Sequence, residues 1–195
     1  RWWSANLADP NNLQVRHLGH RSPGFDADWF AAMRARPDVA YIAPRTRDLS
    51  LQRDVSSAVA PLRARRAELV LSGPGDVQLG TLAMLVVPGQ AVVTDVLATQ
   101  LGVKTGDDLL VWATGDRASG RERTSITLRI AAIAPPGTYA RAAVFAEPEV
   151  GVDLEDFGDD RAVPSRGWAG RDPPMVRPFP SFRVYASSIE AVPGL

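Results

Sequence analysis

The chain has 195 residues, of which 45% are hydrophobic and 23% are charged, a composition typical of folded soluble proteins rather than of disordered or membrane-spanning ones. Its 22 basic residues balance 22 acidic ones, and no basic block extends beyond residues 63–66, which argues against a nucleic-acid-binding surface. The lack of cysteine in the sequence excludes disulfides, thiolate chemistry and cysteine-ligated zinc.

The N-terminal part combines one helix with short strands. A helix is predicted at residues 27–36, because Asp26 can cap its first turn and Pro37 enforces its end. Its predicted buried face consists of Phe25, Trp29 and Met33. Strand pieces are predicted before and after it, at residues 13–18, 39–42 and 49–51.

The centre of the chain is richer in strands. Apolar and polar residues alternate over residues 67–71 and 126–132, which predicts strands with one covered face. Residues 109–113 are apolar on both faces, so a strand covered on each side is expected there. A polar hairpin loop is predicted at residues 115–120.

One stretch, TDVLATQLGVKTGDDLLVW at residues 94–112, contains in order the signals for a helix start, a helix end, a turn and a strand. Thr94 is predicted to cap a short helix, and Gly102 to end it in the left-handed conformation. A Gly-Asp turn at residues 106–107 then leads into a strand. Each residue has a structural explanation, so the stretch predicts a scaffold rather than an active site.

Toward the C-terminal end a short strand leads into a helix with Pro148 in its first turn. Residues 159–180 are rich in Pro, Gly and Arg without periodicity, which predicts a long loop. A strand at residues 182–186 precedes a last helix, opened by a capping box of Ser187 and Glu190. The order of the elements predicts an α+β fold.

Three features suggest chemistry, and each is better explained structurally. His17 and His20 lack a third metal ligand. The acidic residues at 153–160 lack the residue order of a calcium loop, and the glycine-rich residues 72–76 lack the lysine of a phosphate-binding loop. The sequence predicts no catalytic, metal or cofactor-binding residues and no enzyme activity, although a carboxylate-pair hydrolase stays open because paired acids meet only in three dimensions.

The sequence WAGRDPPM, within the predicted long loop, offers a candidate for partner contact. Trp168, Arg171 and Met175 supply the aromatic, arginine and methionine side chains that dominate many binding surfaces. The other interpretation of these residues is a disordered connection.

Three blocks of the chain resemble the extracytoplasmic domain of MacB-like and FtsX-like ABC transporter permeases. They are PDVAYIAPRTRDLSL from residue 37, the stretch VVTDVLATQLGVKTGDDLLVW followed by TLRIAAIAP and AAVFAE, and FRVYASSIEAVPGL from residue 182. The pairs Leu97-Ala98, Leu101-Gly102 and Gly106-Asp107 occupy the family's motif positions. The blocks occur in the family's order and span most of the chain.

The resemblance implies a single domain inserted between two membrane helices of a bacterial inner-membrane permease and exposed to the periplasm. It implies a porter-like βαβ subdomain from residues 10–60 with 178–195, and a β-rich sabre-like insert at 61–158. Leu13 and Leu195 would then lie at the same end of the domain. An N-terminus without Met also suggests a piece of a longer protein.

The family's activity implies partners rather than chemistry in this chain. ATP hydrolysis would belong to a cytoplasmic ATPase, and this domain would couple it to a periplasmic adaptor or a lipoprotein substrate, as a dimer in the full transporter. One alternative is a cofactor-holding double-psi barrel fragment of a molybdopterin oxidoreductase, which resembles only the middle third. Another is a free-standing binding module.

Overall fold

The computed structural model describes residues 14–18, 24–47, 52–61, 63–117 and 120–194, which form an α+β fold. Its strands are β1 (Gln14–Leu18), β2 (Val39–Arg45), β3 (Gln52–Ser57), β4 (Arg65–Leu71), β5 (Gln90–Thr94), β6 (Asp108–Arg117), β7 (Gly120–Ala134), β8 (Ala143–Ala146) and β9 (Ser181–Ala186). The α-helices are α1 (Ala27–Arg34), α2 (Asp95–Leu101) and α3 (Pro148–Gly158), and 3-10 helices lie at Gly80–Leu85, Pro164–Arg166 and Ile189–Gly194. Within the described ranges, no helix has the length and hydropathy needed to cross a bilayer.

Three strands from the two ends of the chain form one sheet, in the order β1-β9-β2. The central strand β9 is antiparallel to both neighbours, with Gln14 opposite Tyr185 on one side and Val39 opposite Ala186 on the other. β9 is buried along its whole length. Phe182 therefore faces a cluster with α1, and the alternate residues face the rest of the molecule.

Helix α1 begins as predicted, because the Asp26 carboxylate accepts a 2.9 Å hydrogen bond from the Trp29 amide. The predicted core face is only partly buried, since Phe30 is the buried residue of the helix and the predicted residues pack around it. Phe30 contacts the Phe179 ring edge-on at 5.8 Å. That contact comes from the far end of the chain, and helix periodicity alone does not indicate it.

The other six strands close into a barrel in the order β3-β4-β8-β5-β7-β6. β4 is parallel to β8 and β5 to β7, and the remaining neighbours are antiparallel. In chain order the barrel has two equivalent halves, β3-β4-β5 and β6-β7-β8. Swapping each strand with its counterpart in the other half gives the same pairs of neighbouring strands, and an α-helix follows the third strand of each half, α2 after β5 and α3 after β8. β3 pairs with β4 and β6, so the barrel begins at Gln52.

The barrel interior is filled by alternate residues of its strands. Fully buried side chains include Leu69, Leu109, Ile126, Leu128 and Ile130. Helix α3 closes against this core through Val150, Leu154 and Phe157. It approaches closely because Gly151 has no side chain: a Cβ there would come within 2.6 Å of the Leu71 side chain.

The stretch at residues 94–112 forms the predicted helix cap and helix end. The Thr94 hydroxyl accepts from the Leu97 amide at 3.3 Å, and Gly102 ends α2 in the left-handed conformation with φ 66° and ψ 33°. The same hydroxyl also accepts from the Ala143 amide at 3.0 Å. The helix cap therefore also fastens α2 to β8, a contact that the sequence pattern does not indicate.

Three predictions about local structure need correction. The hairpin strands continue to Arg117 and resume at Gly120, so the turn is shorter than the predicted loop at 115–120. Leu110 and Trp112 are only partly buried, because β6 has one face inside the barrel and one outside. The last helix is a short 3-10 turn that contains Pro193. Residues 49–51, Leu13 and Leu195 lie outside the described residues.

Candidate functional site at the joint between sheet and barrel

The three predicted contact residues have different environments. Trp168 is partly buried and packs edge-on against Phe157, with ring centroids 5.2 Å apart. Arg171 is exposed and donates a 2.7 Å hydrogen bond to the Asp159 carbonyl. Met175 is fully exposed. Trp168 and Arg171 therefore have structural partners, whereas Met175 has none among the described hydrophobic clusters.

The long loop that carries these residues is fastened at several points. Its β-bridges are Arg161 to Arg171, Val163 to Trp168 and Phe25 to Phe179. Arg177 forms an ion pair with Asp156 of α3. Residues 172–176 lie between these anchors and are exposed, so the loop presents a short tip on a fixed base.

The candidate histidine in the described part of the chain and the acidic cluster lie in different parts of the fold. His17 lies in β1, and His20 is outside the described residues. In the acidic cluster, Asp153 pairs with Arg166 at 2.8 Å, and burial raises the pKa of the Asp153 carboxyl although Arg166 opposes the shift. No group of three acidic or histidine side chains with metal-binding geometry occurs among the described residues.

The glycine-rich turn after β4 carries a buried carboxylate. Asp76 is fully buried and forms a 2.5 Å ion pair with Arg183 from the centre of β9. The Ser72 hydroxyl donates to the Asp76 carboxylate at 2.6 Å, and the backbone amide of Gln78 donates to the same carboxylate at 3.0 Å. The turn that resembled a phosphate loop in composition therefore holds an acidic side chain for the neighbouring sheet.

The Arg183 guanidinium has further partners on both bodies. It donates to the Leu71 carbonyl at 3.1 Å and to the Tyr185 hydroxyl at 2.7 Å. That hydroxyl donates in turn to the Gln78 side-chain oxygen at 3.0 Å. The network links β9 to the end of β4 and the turn after it, and we call it the joint: Leu71, Ser72, Asp76, Gln78, Arg183 and Tyr185.

The charges of the joint are set by burial and by each other. Burial alone lowers the pKa of the Arg183 guanidinium, but the Asp76 carboxylate outweighs it and raises the pKa above its ordinary range. Tyr41 flanks the pair, and burial together with the Asp76 charge raises the pKa of Tyr41 to about 12. The Arg183 guanidinium therefore keeps its charge across the physiological pH range, and the Tyr41 hydroxyl stays neutral there.

The joint is suited to holding two bodies together rather than to catalysis. Asp76 and Tyr185 are inaccessible to solvent, and Arg183 is only 6% exposed, so a substrate cannot reach the ion pair. Breaking one partner of such a pair leaves an uncompensated buried charge. A signal for the joint exists in the sequence FRVYA, where alternation places Arg183 and Tyr185 on one face of an otherwise apolar strand.

A second set of contacts between sheet and barrel lies nearer the surface. Arg47, just after β2, forms ion pairs with Glu155 and Asp159 of the α3 end, and we call this contact the latch. Arg177, just before β9, pairs with Asp156 and with Glu155, the latter at 3.8 Å. Three acids of the cluster at the end of α3, Glu155, Asp156 and Asp159, are therefore paired with arginines from the sheet side.

The latch borders a cleft of about 590 Å³ between α3 and the barrel wall. Arg47, Asp159, Arg53 and Trp112 are among its lining residues. The Trp112 indole donates to the Ser56 hydroxyl at 2.9 Å, and the Arg123 guanidinium stacks over the indole ring at 4.1 Å. The cleft is thus a mixed-charge surface with one aromatic wall.

The chain matches no protein-family model, and no curated protein matches it.

Proposed function

We propose that the chain is the extracytoplasmic domain of a MacB-like or FtsX-like ABC transporter permease, without catalytic activity of its own. It would couple a cytoplasmic ATPase to a periplasmic adaptor or a lipoprotein substrate, within a dimeric transporter. The observation that carries the proposal is the position of β1 beside β9. Gln14 lies opposite Tyr185, so the first described strand starts where the last strand ends, as insertion between two membrane helices requires.

The division of the fold supports the same proposal. The sheet with α1 would be the porter-like subdomain, built from both ends of the chain, and the barrel would be the sabre-like insert. The joint connects the two through an ion pair with no solvent access at Asp76. A displacement imposed on the sheet near β1 and β9 would therefore act on the barrel through the joint.

Membrane topology of the full-length protein tests the proposal. The chain has no cysteine, so Val59→Cys, at a position 94% exposed on the barrel, places a unique thiol in this domain. In cells with a permeabilised outer membrane, we expect an impermeant maleimide to label it before the inner membrane is lysed. Ala83→Cys, at a fully buried position, is the matched control and should react only after denaturation.

Labelling of Val59→Cys only after lysis of the inner membrane would contradict an extracytoplasmic location. Recovery of the full-length protein in the soluble fraction would instead favour the free-standing binding module. The unsubstituted protein supplies the background for any thiols outside this chain.

The double-psi barrel alternative is favoured by one observation, the interchangeable halves of the six-stranded barrel. Fold alone does not imply function, and this alternative leaves the sheet and α1 unexplained. A pterin cofactor that co-purifies with the full-length protein at about one per chain would support the alternative and overturn the permease proposal. We expect no pterin fluorescence after oxidation of the purified protein.

A further inference from the structure

The sheet and the barrel have separate apolar cores. One cluster of buried residues contains only α1, β2 and β9 side chains, including Phe30 and Val184. The barrel clusters, which include Leu69 and Phe145, draw only on the barrel strands and the helices and loops packed on them. The two bodies are thus each packed internally, and the ion pairs described above join them.

We infer that the sheet and the barrel are hinged, with Asp76–Arg183 and Asp156–Arg177 as fixed contacts and the Arg47 latch as the contact that opens. The inference concerns this chain itself and does not depend on the permease proposal. Two fixed contacts define an axis, and release of the latch leaves rotation about that axis, which moves Arg47 away from the α3 end and from the cleft that it lines.

The fixed contacts are buried. The side chains of Arg183 and Asp76 are 7% and 0% exposed, and those of Arg177 and Asp156 are 19% and 7% exposed. Opening the joint would leave the buried Asp76 carboxylate without its counterion. Dissolved salt screens buried and partly buried ion pairs much less than exposed ones, so we expect these two contacts to persist at high salt.

The latch differs from the fixed contacts in its exposure to solvent and in the charges that its opening leaves unpaired. The Arg47 side chain is 55% exposed, so salt screens its attraction to α3. Its release leaves neither carboxylate without a counterion, because Glu155 still pairs with Arg177 at 3.8 Å and Asp159 still pairs with Arg161 at 3.7 Å. The freed guanidinium of Arg47 becomes hydrated.

Thr46 gives an independent reason for the latch to open. Its hydroxyl is buried beside Arg47 and has no hydrogen-bond partner among the described residues. An unsatisfied buried hydroxyl raises the free energy of the closed arrangement. Movement of the end of β2 away from the barrel brings water to this hydroxyl, which favours the open arrangement.

Distances between spin labels test the hinge in the full-length protein. Ala32→Cys on the exposed face of α1 and Val59→Cys on the barrel report the separation of the two bodies. We expect a second population at longer distance as salt is raised from about 0.01 M to about 1 M, where the Debye length falls from about 30 Å to about 3 Å. Val59→Cys with Met84→Cys, both on the barrel, should give one unchanged distance.

Substitution of the latch arginine supplies the matched comparison, because it leaves the Arg177 contacts in place. Arg47→Gln should produce the longer population already at low salt, whereas Asp108→Asn, which removes an exposed ion pair within the barrel, should not. A sheet-to-barrel distance that stays unchanged both at high salt and in the latch variant overturns the inference. If the latch variant fails to fold, the barrel-to-barrel distance broadens as well, and the salt series on the unsubstituted latch decides.

Discussion

Arg183 in β9 and Asp76 in the turn after β4 are 107 residues apart in the sequence, yet they form a buried 2.5 Å ion pair between the sheet and the barrel. The pair is the centre of a network in which each charged atom has several partners. Its geometry fastens the centre of β9 to the turn after β4, and so the sheet to the barrel.

Asp76→Asn should destabilise the protein by about 3 kcal/mol, because it leaves the Arg183 guanidinium buried without a counterion. Asp54→Asn removes a carboxylate that pairs with arginines at the surface and should cost less than about 1 kcal/mol. Urea denaturation of both variants measures the difference. Equal costs would show that the buried pair contributes no more than a surface pair.

Tyr41 makes the stability pH-dependent at the alkaline end. Its folded-state pKa of about 12 lies above the ordinary tyrosine value of about 10, so between these values the folded state holds a proton that the unfolded state has lost. This contribution is fully present below about pH 10 and is lost as the pH rises toward about 12. We expect a loss on the order of 2 kcal/mol.

Denaturation midpoints between about pH 9 and about pH 12 measure this loss. Tyr41→Phe should remove that part of the pH dependence while other titrating groups keep theirs. An identical slope in the variant and the parent would show that Tyr41 ionises in the folded state as it does in water.

The α2 unit could be predicted because its signals are local. The Thr94 cap and the left-handed Gly102 lie within nine residues of each other, and both appear as expected. The barrel closure could not, because pairings such as β3 with β6 and β4 with β8 join distant segments. Strand alternation indicates which face is covered, but it does not indicate by what.

The candidate site divides in the same way. The loop composition singled out Trp168, Arg171 and Met175, but their environments depend on the α3 end, which only the fold brings near. The role of Asp76 as a buried ion-pair partner could not be predicted, because a turn already explains the glycine-rich sequence around it. Arg183 could have been found, since an arginine within an apolar strand requires a buried counterion or a solvent-facing side.

Thr46→Val should stabilise the protein by about 1 kcal/mol, because it removes a buried hydroxyl without a partner and keeps the shape of the side chain. Thr94→Val is the matched control: its hydroxyl accepts from two backbone amides, so the same change should cost about 1–3 kcal/mol. Thermal denaturation compares the two. A destabilised Thr46→Val variant would mean that the hydroxyl has a partner in solution.

Gly102→Val should cost about 1–2 kcal/mol, because a β-branched residue disfavours the left-handed conformation at the end of α2. No atom lies within 4 Å of the position of an added Cβ, so the cost is conformational rather than steric. Gly102→Asn should cost less, since asparagine tolerates this conformation. An unchanged melting temperature for Gly102→Val would show that the helix does not end there in solution.

The loop residues separate stability from partner contact. Trp168→Ala should destabilise the protein by about 2 kcal/mol, because the indole packs on Phe157. Met175→Ala, at a fully exposed position, should change stability by less than about 0.5 kcal/mol. If the tip of the loop contacts a partner of the transporter, Met175→Ala lowers transport by the full-length assembly at unchanged melting temperature. A Met175→Ala assembly with full transport would remove Met175 as a contact residue, and a loss of stability in the same variant would mean that its side chain packs against the protein.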